Sequence, residues 1–253
     1  MDIGYMVEIF PKLIAMLPIT LSIIVTSAIL GLLLSIAITA LRIKKIKFLS
    51  PILEAYISFM RSVPILLLLF IVYYGLPVFF SLFNLDINDL SGIVAAIITL
   101  IIFNGAYLSE ILRPAYLSID KGQHEAANSL GYTPFAKFRK IVIPQMAPIA
   151  LPGLGNAIIY LIHDTSLVFT IGVVDILGKA NLILASSYGE NKVEVYFTIA
   201  LIYWALCLLS DRMVKLFENH TYLSKIEKRR MFGSKNTMQY HKFGKGNIQS
   251  HSD

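Results

Sequence analysis

The sequence predicts an all-α, polytopic membrane protein with about five transmembrane helices. Three observations predict it. Of 253 residues, 56% are hydrophobic and only 15% are charged. The apolar residues gather into runs that reach the ~20 residues a helix needs to cross a bilayer. Lys and Arg concentrate in alternate loops between those runs, as they do in inserted proteins. A soluble domain of this length would alternate polar and apolar faces instead. Backbone hydrogen bonds must close internally in lipid, so the runs are helices.

Residues 1–12 read as a short exposed arm. It opens Met-Asp-Ile-Gly, carries Glu8 and has no basic leader, so it does not resemble a cleavable signal peptide. The transmembrane domain covers 13–219. Its spans are expected at about Leu13–Leu41, Ile52–Val78, Leu90–Leu112, Ile149–Val173 and Val195–Leu216, the fourth interrupted by polar residues. Arg42, Lys44, Lys45 and Lys47 follow the first span. Arg113, Lys121, Lys137, Arg139 and Lys140 follow the third, and Lys225, Lys228, Arg229 and Arg230 follow the fifth. The loop 81–89 has no Lys or Arg, and in 178–194 Lys179 and Lys192 are offset by Glu190 and Glu194. The positive-inside bias therefore puts the N-terminus outside and the C-terminus inside.

The tail 220–253 is a separate, basic segment. From Thr221 onward it holds seven Lys/Arg against Glu227 and Asp253, which is +5 of the formal +6. Its polar composition predicts disorder. No aromatic-basic platform accompanies it, so anionic lipid suits it better than nucleic acid. Cys207, the single cysteine, is expected to be a buried, inert thiol within the fifth span, and no intrachain disulfide is possible.

The loop 121–144 carries the sharpest local signals. Gly122 breaks the chain after the third span, and Gln123 to Leu130 favours a short helix. Ala126 and Ala127 are small enough for another surface to approach. Glu125 can hydrogen-bond at a helix start or pair with a cation. Gly131 can take positive φ at the helix end. Thr133 and Pro134 suit the cap and first position of a second helix, which Pro144 and Pro148 are expected to stop. A well-capped surface hairpin would explain these residues one by one. It would not explain Glu125-Ala126-Ala127, Gly131, Ile141 and Pro144 in one register.

That register resembles the EAA loop of the membrane subunits of binding-protein-dependent ATP-driven importers. Ser58-Phe59-Met60-Arg61-Ser62-Val63-Pro64, then Tyr73-Tyr74-Gly75-Leu76-Pro77, is similar to the second-span signature of their polar amino-acid permeases. Gly105 to Arg113 resembles the end of the third span. Asp164-Thr165-Ser166-Leu167 with Ile171-Gly172-Val173 resembles the fourth. The chain, over roughly residues 10–220, is thus identified as a type I ABC importer permease. It departs in having His163 where the family usually has Lys, and Ser62-Val63 where it usually has Gly-Thr.

The resemblance implies a path for a polar amino acid, with a lean toward cystine. It implies that Gly122, Gln123, Glu125, Ala126, Ala127 and Gly131 grip an ABC ATPase. Arg61, Glu110, His163 and Asp164 fall inside apolar runs, where an ionised group costs at least ~2.5 kcal/mol unless it faces a cavity or partner. Asp164 would take the substrate ammonium and Arg61 its carboxylate, with Asn104, Thr165 and Ser166 adding neutral hydrogen bonds. Alternatively, Arg61 and Asp164 only pair with each other. Pro152, Gly153 and Gly155 are expected to loosen the helix before Asp164. Glu110 and Arg113, three apart, are expected to pair.

The chain itself has no G-x-x-x-x-G-K-[ST] phosphate loop. The nearest approach, Gly172 to Gly178-Lys179-Ala180, has the wrong spacing and no hydroxyl after the Lys. ATP and Mg would be bound by a partner ATPase, and no cofactor or metal by this chain. An extracytoplasmic solute-binding protein and a second permease copy or paralogue complete the expected assembly. Two other classes fit less well. A secondary transporter would show internal repeats and carry its own coupling carboxylates. An enzyme would need more than His163, Asp164 and Ser166, which are neighbours on one helix and point different ways.

Overall fold

A computed structural model describes residues 2–85, 87 and 89–246, with side chains described as far as residue 219. The described residues form helices and connecting turns. Helix α1 spans Ile3–Ile14, α2 Leu17–Ile43, α3 Leu49–Ser62, α4 Ile65–Ser81 and α5 Gly92–Leu117. Helix α6 spans Lys121–Ser129, α7 Pro134–Lys137, α8 Ile143–Thr165, α9 Ile176–Ser186 and α10 Lys192–Gly246. Among them α2, α5, the run 134–165 and Lys192–Asn219 are each long and apolar enough to cross a membrane. The α3–α4 pair supplies a fifth span if it counts as one.

Five expectations need correction. The second span is not a straight helix. It bends by 112° between α3 and α4. Pro64 has no N–H and disfavours helical geometry in the residue before it, and Val63 is extended, at φ −91° and ψ 130°. The fourth span lies several residues earlier than expected. Pro144 and Pro148 do not stop the helix that begins at Pro134. Instead a π-helical turn at Phe138–Val142 joins α7 to α8, and Gln145 Nε2 donates to the Ile141 carbonyl at 2.9 Å. The span ends at Thr165, and a 3-10 turn, Val168–Ile171, leads to Gly172 at φ +83°.

The N-terminal arm is also different. It is a helix capped by Asp2, whose carboxylate accepts from Tyr5 N at 3.1 Å. Ile9 and Leu13, one turn apart, are buried against Ile176, Ala180 and Val195. Finally, Pro152, Gly153 and Gly155 do not loosen α8. A Cβ on Gly153 would come within 2.8 Å of Ile111, and one on Gly155 within 2.4 Å of Val214. Small residues here let α5 and α10 approach closely, as in many membrane bundles. In the tail, the α10 backbone stays helical as far as Gly246. Residues 247–253 of the segment expected to be disordered lie outside the described residues.

The main core joins α2, α4, α5 and α8 around Ile23, Leu69, Leu100 and Leu161. Helix α5 is its centre. Gly105 faces Leu34 of α2 so closely that a Cβ would lie 2.5 Å from it, and Gly31 of α2 faces the Asn104 Cβ at 3.0 Å. Helix α9 has only 11 residues, about 16 Å of rise, too short to span. It is started by Asp175, whose Oδ1 accepts from Gly178 N at 2.8 Å.

Candidate functional site

The loop after α5 folds as its residue types require. Asp120 caps α6, accepting from Gly122 N at 2.7 Å. At the other end Tyr132 N donates to the Ala127 carbonyl and Gly131 N to the Asn128 carbonyl, both at 3.0 Å. That bond pair needs a left-handed residue between helix and exit, and Gly131 has φ +74°. Thr133 Oγ1 accepts from Ala136 N at 3.2 Å and starts α7. Gln123, Glu125 and Ala126 are exposed, whereas Ala127 is buried against its own subunit. Leu130 and Phe135 flank the turn with 76% and 72% of their surfaces exposed. The loop is rigidly built yet presents apolar tips on a polar surface.

The ionisable residues within the spans assemble differently from the expectation. Glu110 does not pair with Arg113. Its Oε1 accepts from Arg42 Nη1 at 2.5 Å and its Oε2 from Arg61 Nη1 at 3.1 Å. One carboxylate thus ties α2, α3 and α5 together, which i,i+3 spacing alone could not reveal. These residues line a polar cavity of about 370 Å³ with Glu54, Ser58 and Ser62. Arg42 is the buried member, its side chain only 10% exposed.

Arg61 and Asp164 sit at different depths. Tyr107 meets Tyr160, and Gly153 meets Ile111, so α5 and α8 run antiparallel. Glu110 is level with Gly153. Asp164 lies 11 residues further along, about 16 Å of helical rise away. Arg61, held on Glu110, therefore does not pair with Asp164. The Asp164 carboxylate is half-buried and has no hydrogen-bond or ion-pair partner among the described residues. Next to it, Ser166 Oγ donates to the His163 carbonyl at 2.6 Å and Thr165 Oγ1 to that of Ile162 at 2.7 Å. Both hydroxyl protons are thereby used; Thr165 is fully buried, whereas Ser166 is partly exposed.

Cys207, expected to be buried, is only half-buried, and His163 Nε2 lies 3.4 Å from its Sγ, so the thiol is packed against a polar neighbour rather than only apolar ones. Asn104 is buried and donates to the Leu100 carbonyl at 2.9 Å. It is the polar residue in a cavity of about 280 Å³ walled by Ala28, Leu154, Ala157, Ile158 and Phe217. Asn104 is thus brought together with neither Arg61 nor Asp164.

Sequence reasoning missed Arg42 and Asp175. Arg42 sits in the last turn of α2 and reads like the loop lysines after it. Asp175 is fully buried, caps α9 and accepts from Tyr203 at 3.4 Å. Its signal was legible: an Asp directly before the apolar run that opens at Ile176 is a cap pattern.

Glu110→Gln should destabilise the protein, because it leaves Arg42 buried without its counter-charge. Breaking a buried pair costs ~3–5 kcal/mol. Glu110 is 32% exposed, which places the loss at or below the low end of that range. Arg42→Met combined with Glu110→Met should melt closer to wild type than Glu110→Gln alone. A wild-type melting curve for Glu110→Gln would show that the network carries no stability.

Comparison with known proteins agrees with this architecture. Residues 27–221 match the family described as binding-protein-dependent transport system inner membrane component. The chain is 36% identical over 217 residues to the L-cystine transport system permease protein TcyL of Bacillus subtilis (strain 168), covering 86% of this chain and 90% of that one. It is 34% identical over 222 residues to the nopaline transport system permease protein NocM of Agrobacterium fabrum (strain C58 / ATCC 33970), covering 86% and 91%. A chain from the crystal structure of an amino acid ABC transporter with histidines superposes with a TM-score of 0.73 at 31% identity, covering 87% of this chain and 99% of that one. A chain of the MetNI methionine ABC transporter shares the fold at a TM-score of 0.62 and 20% identity, covering 83% and 97%. The four or five apolar spans and these relatives make this a multi-pass bacterial membrane protein with a transport role, not an enzyme. The chain belongs to the binding-protein-dependent inner membrane components, as the permease subunit of an amino-acid ABC transporter.

Proposed function

We propose that this subunit lines half of an import path for a polar amino acid and couples it, through α6, to separate ATPase subunits that bind ATP and Mg. The observation that carries the coupling is the build of the 120–135 loop. Its backbone is locked by two caps and a left-handed glycine, yet Leu130, Phe135, Glu125 and Ala126 are offered to solvent. Exposed apolar side chains on an otherwise polar, rigid element suit a protein partner. The excess of Lys and Arg supports placing this loop, with the C-terminus, in the cytoplasm, where ATP is. The opposite face would receive a solute-binding protein. A second copy or paralogue would close the path, since one bundle of this size leaves α4 residues such as Tyr74, Val78 and Phe79 exposed.

Mechanism follows from rigidity. ATP-driven closure of the ATPase pair would draw the α6 helices together. Because α6 is continuous in its caps with α5 and α7, that movement would tilt the spans rather than dissipate in the loop. Asp164 is the group we assign to the substrate ammonium, with Thr165 and Ser166 beside it. Its half-buried carboxylate lacks a partner among the described residues, an arrangement that is costly in a membrane unless a cation visits it. Arg61 is assigned to the ion pair with Glu110 instead. TcyL is named for L-cystine, which supports a cystine-like substrate.

Glu125→Lys and Gly131→Pro should each abolish uptake while the subunit still inserts. Proline forbids the positive φ at position 131. Normal transport with bound ATPase in both variants would refute the docking role. The orientation requires that a cysteine at Ser129, in a Cys207→Ala background, react with an impermeant thiol reagent only after permeabilisation.

Asp164→Asn preserves shape and removes charge. It should cut transport by at least about tenfold, the loss of one charge-assisted contact of ~1.5–3 kcal/mol, with expression and ATPase assembly intact. Unchanged transport would mean that the carboxylate is not a ligand, and lost expression would mean that it is structural.

A further inference from the structure

A cavity of about 510 Å³ opens where α2, α5 and the α7–α8 junction meet, beside the coupling loop. Its volume lies within the ~300–1,000 Å³ of ligand pockets. Its wall is apolar along one stretch: Ile36 and Ile43 of α2, Phe138 of the π turn, and Ile143 and Met146 of α8. Its rim is basic. Lys44 and Lys137 both line it. Lys137 Nζ donates to Asn128 Oδ1 at 3.0 Å, a neutral acceptor that leaves its charge uncompensated. Neither lysine lies within ion-pair distance of a carboxylate among the described residues. Lys45, Lys47, Arg139 and Lys140 add to the same end of the bundle.

Apolar wall and basic rim together describe one chemistry. We propose that this cavity binds an anionic phospholipid, with an acyl chain against the Ile36–Met146 wall and the phosphate between Lys44 and Lys137. The location fits a lipid, since α2 and α5 reach their last turns here and the membrane surface must cross them. Charge complementarity selects the anionic class, because basic pockets between spans bind acidic headgroups.

The position gives such a lipid a consequence. Lys137 bonds to Asn128 of α6, and Tyr116, another lining residue, has its ring 5.6 Å from that of His124 on α6. A bound headgroup would therefore brace the base of the coupling loop from the membrane side. The inference needs neither the ATPase assignment nor the orientation, as acidic lipid can occupy either leaflet.

The test uses the purified full-length chain and two lipids with identical acyl chains, phosphatidylglycerol and phosphatidylcholine. Native mass spectrometry reads lipid retention. Two lysines at the surface predict a preference of about 30-fold for phosphatidylglycerol. Lys44→Gln with Lys137→Gln should reduce the preference to within about threefold, and Ala40→Phe, which fills the cavity, should abolish retention of both lipids. A wild-type melting temperature that rises more with phosphatidylglycerol than with phosphatidylcholine supports the site without any variant. Equal retention of the two lipids by wild type overturns the proposal. So does a Lys44→Gln/Lys137→Gln variant that keeps phosphatidylglycerol but loses co-purifying ATPase, since the cavity would then belong to a protein partner.

Discussion

Hydrocarbon cannot hydrogen-bond to a polypeptide, and the arrangement of this chain follows from that constraint. Each polar group inside a span must find its partner within the protein or face a cavity. The short hydroxyl side chains mostly turn back onto their own helix. Ser35 Oγ donates to Leu32 at 2.7 Å, Thr99 Oγ1 to Ala95 at 2.8 Å and Ser109 Oγ to Ala106 at 2.7 Å. Asn104 does the same with its amide. Such residues can sit at a helix interface while presenting little volume. Glycine completes the pattern, bringing α2 and α8 so close to α5 that added methyl groups would collide. Dispersion between closely packed helices then does what water-driven burial does in soluble proteins.

The same constraint sorts the exceptions into jobs. Arg42 and Arg61 share the Glu110 carboxylate, and the three join three helices. Asp175 is spent on capping α9 and on Tyr203. Asp164 is compensated by nothing described, and it stands beside a helix end rather than within a packed interface. Polar groups that hold structure and those left over are thus separated by their partners, not by residue type. The bend at Val63–Pro64 contributes to this division. Arg61 lies on the α3 side of it and meets Glu110 of α5, while Asp164 near the end of α8 has no such partner among the described residues.

Helical class, the approximate number of spans and the chemistry of the 120–135 loop were legible in the sequence, because each rests on local signals. Apolar run length, the φ freedom of Gly131 and the Thr133-Pro134 start need no knowledge of the fold. The bend was hidden because the apolar run continues through Pro64, and hydropathy is blind to direction. The continuity of 134–165 through Pro144 and Pro148 was hidden for a related reason: a π turn, Phe138–Val142, joins the two helices, and no composition rule announces it. Glu110's partners could not be read because they lie 68 and 49 positions away, while the plausible neighbour Arg113 lies three away. The first helix was misread because its buried residues, Ile9 and Leu13, meet α9 and α10, whose position only the folded chain defines.

Together these features describe a closely packed bundle that, in the function proposed above, is moved through one well-capped external handle, α6. The account's central claim is that motion enters through that handle from a separate ATPase. Reconstitution into liposomes tests it most directly, with amino-acid uptake measured for the permease alone, and for the permease with its ATPase and solute-binding protein. Uptake should require all three components and ATP, and should persist when proton and sodium gradients are collapsed. Uptake by the permease alone, driven by an ion gradient, would contradict the account.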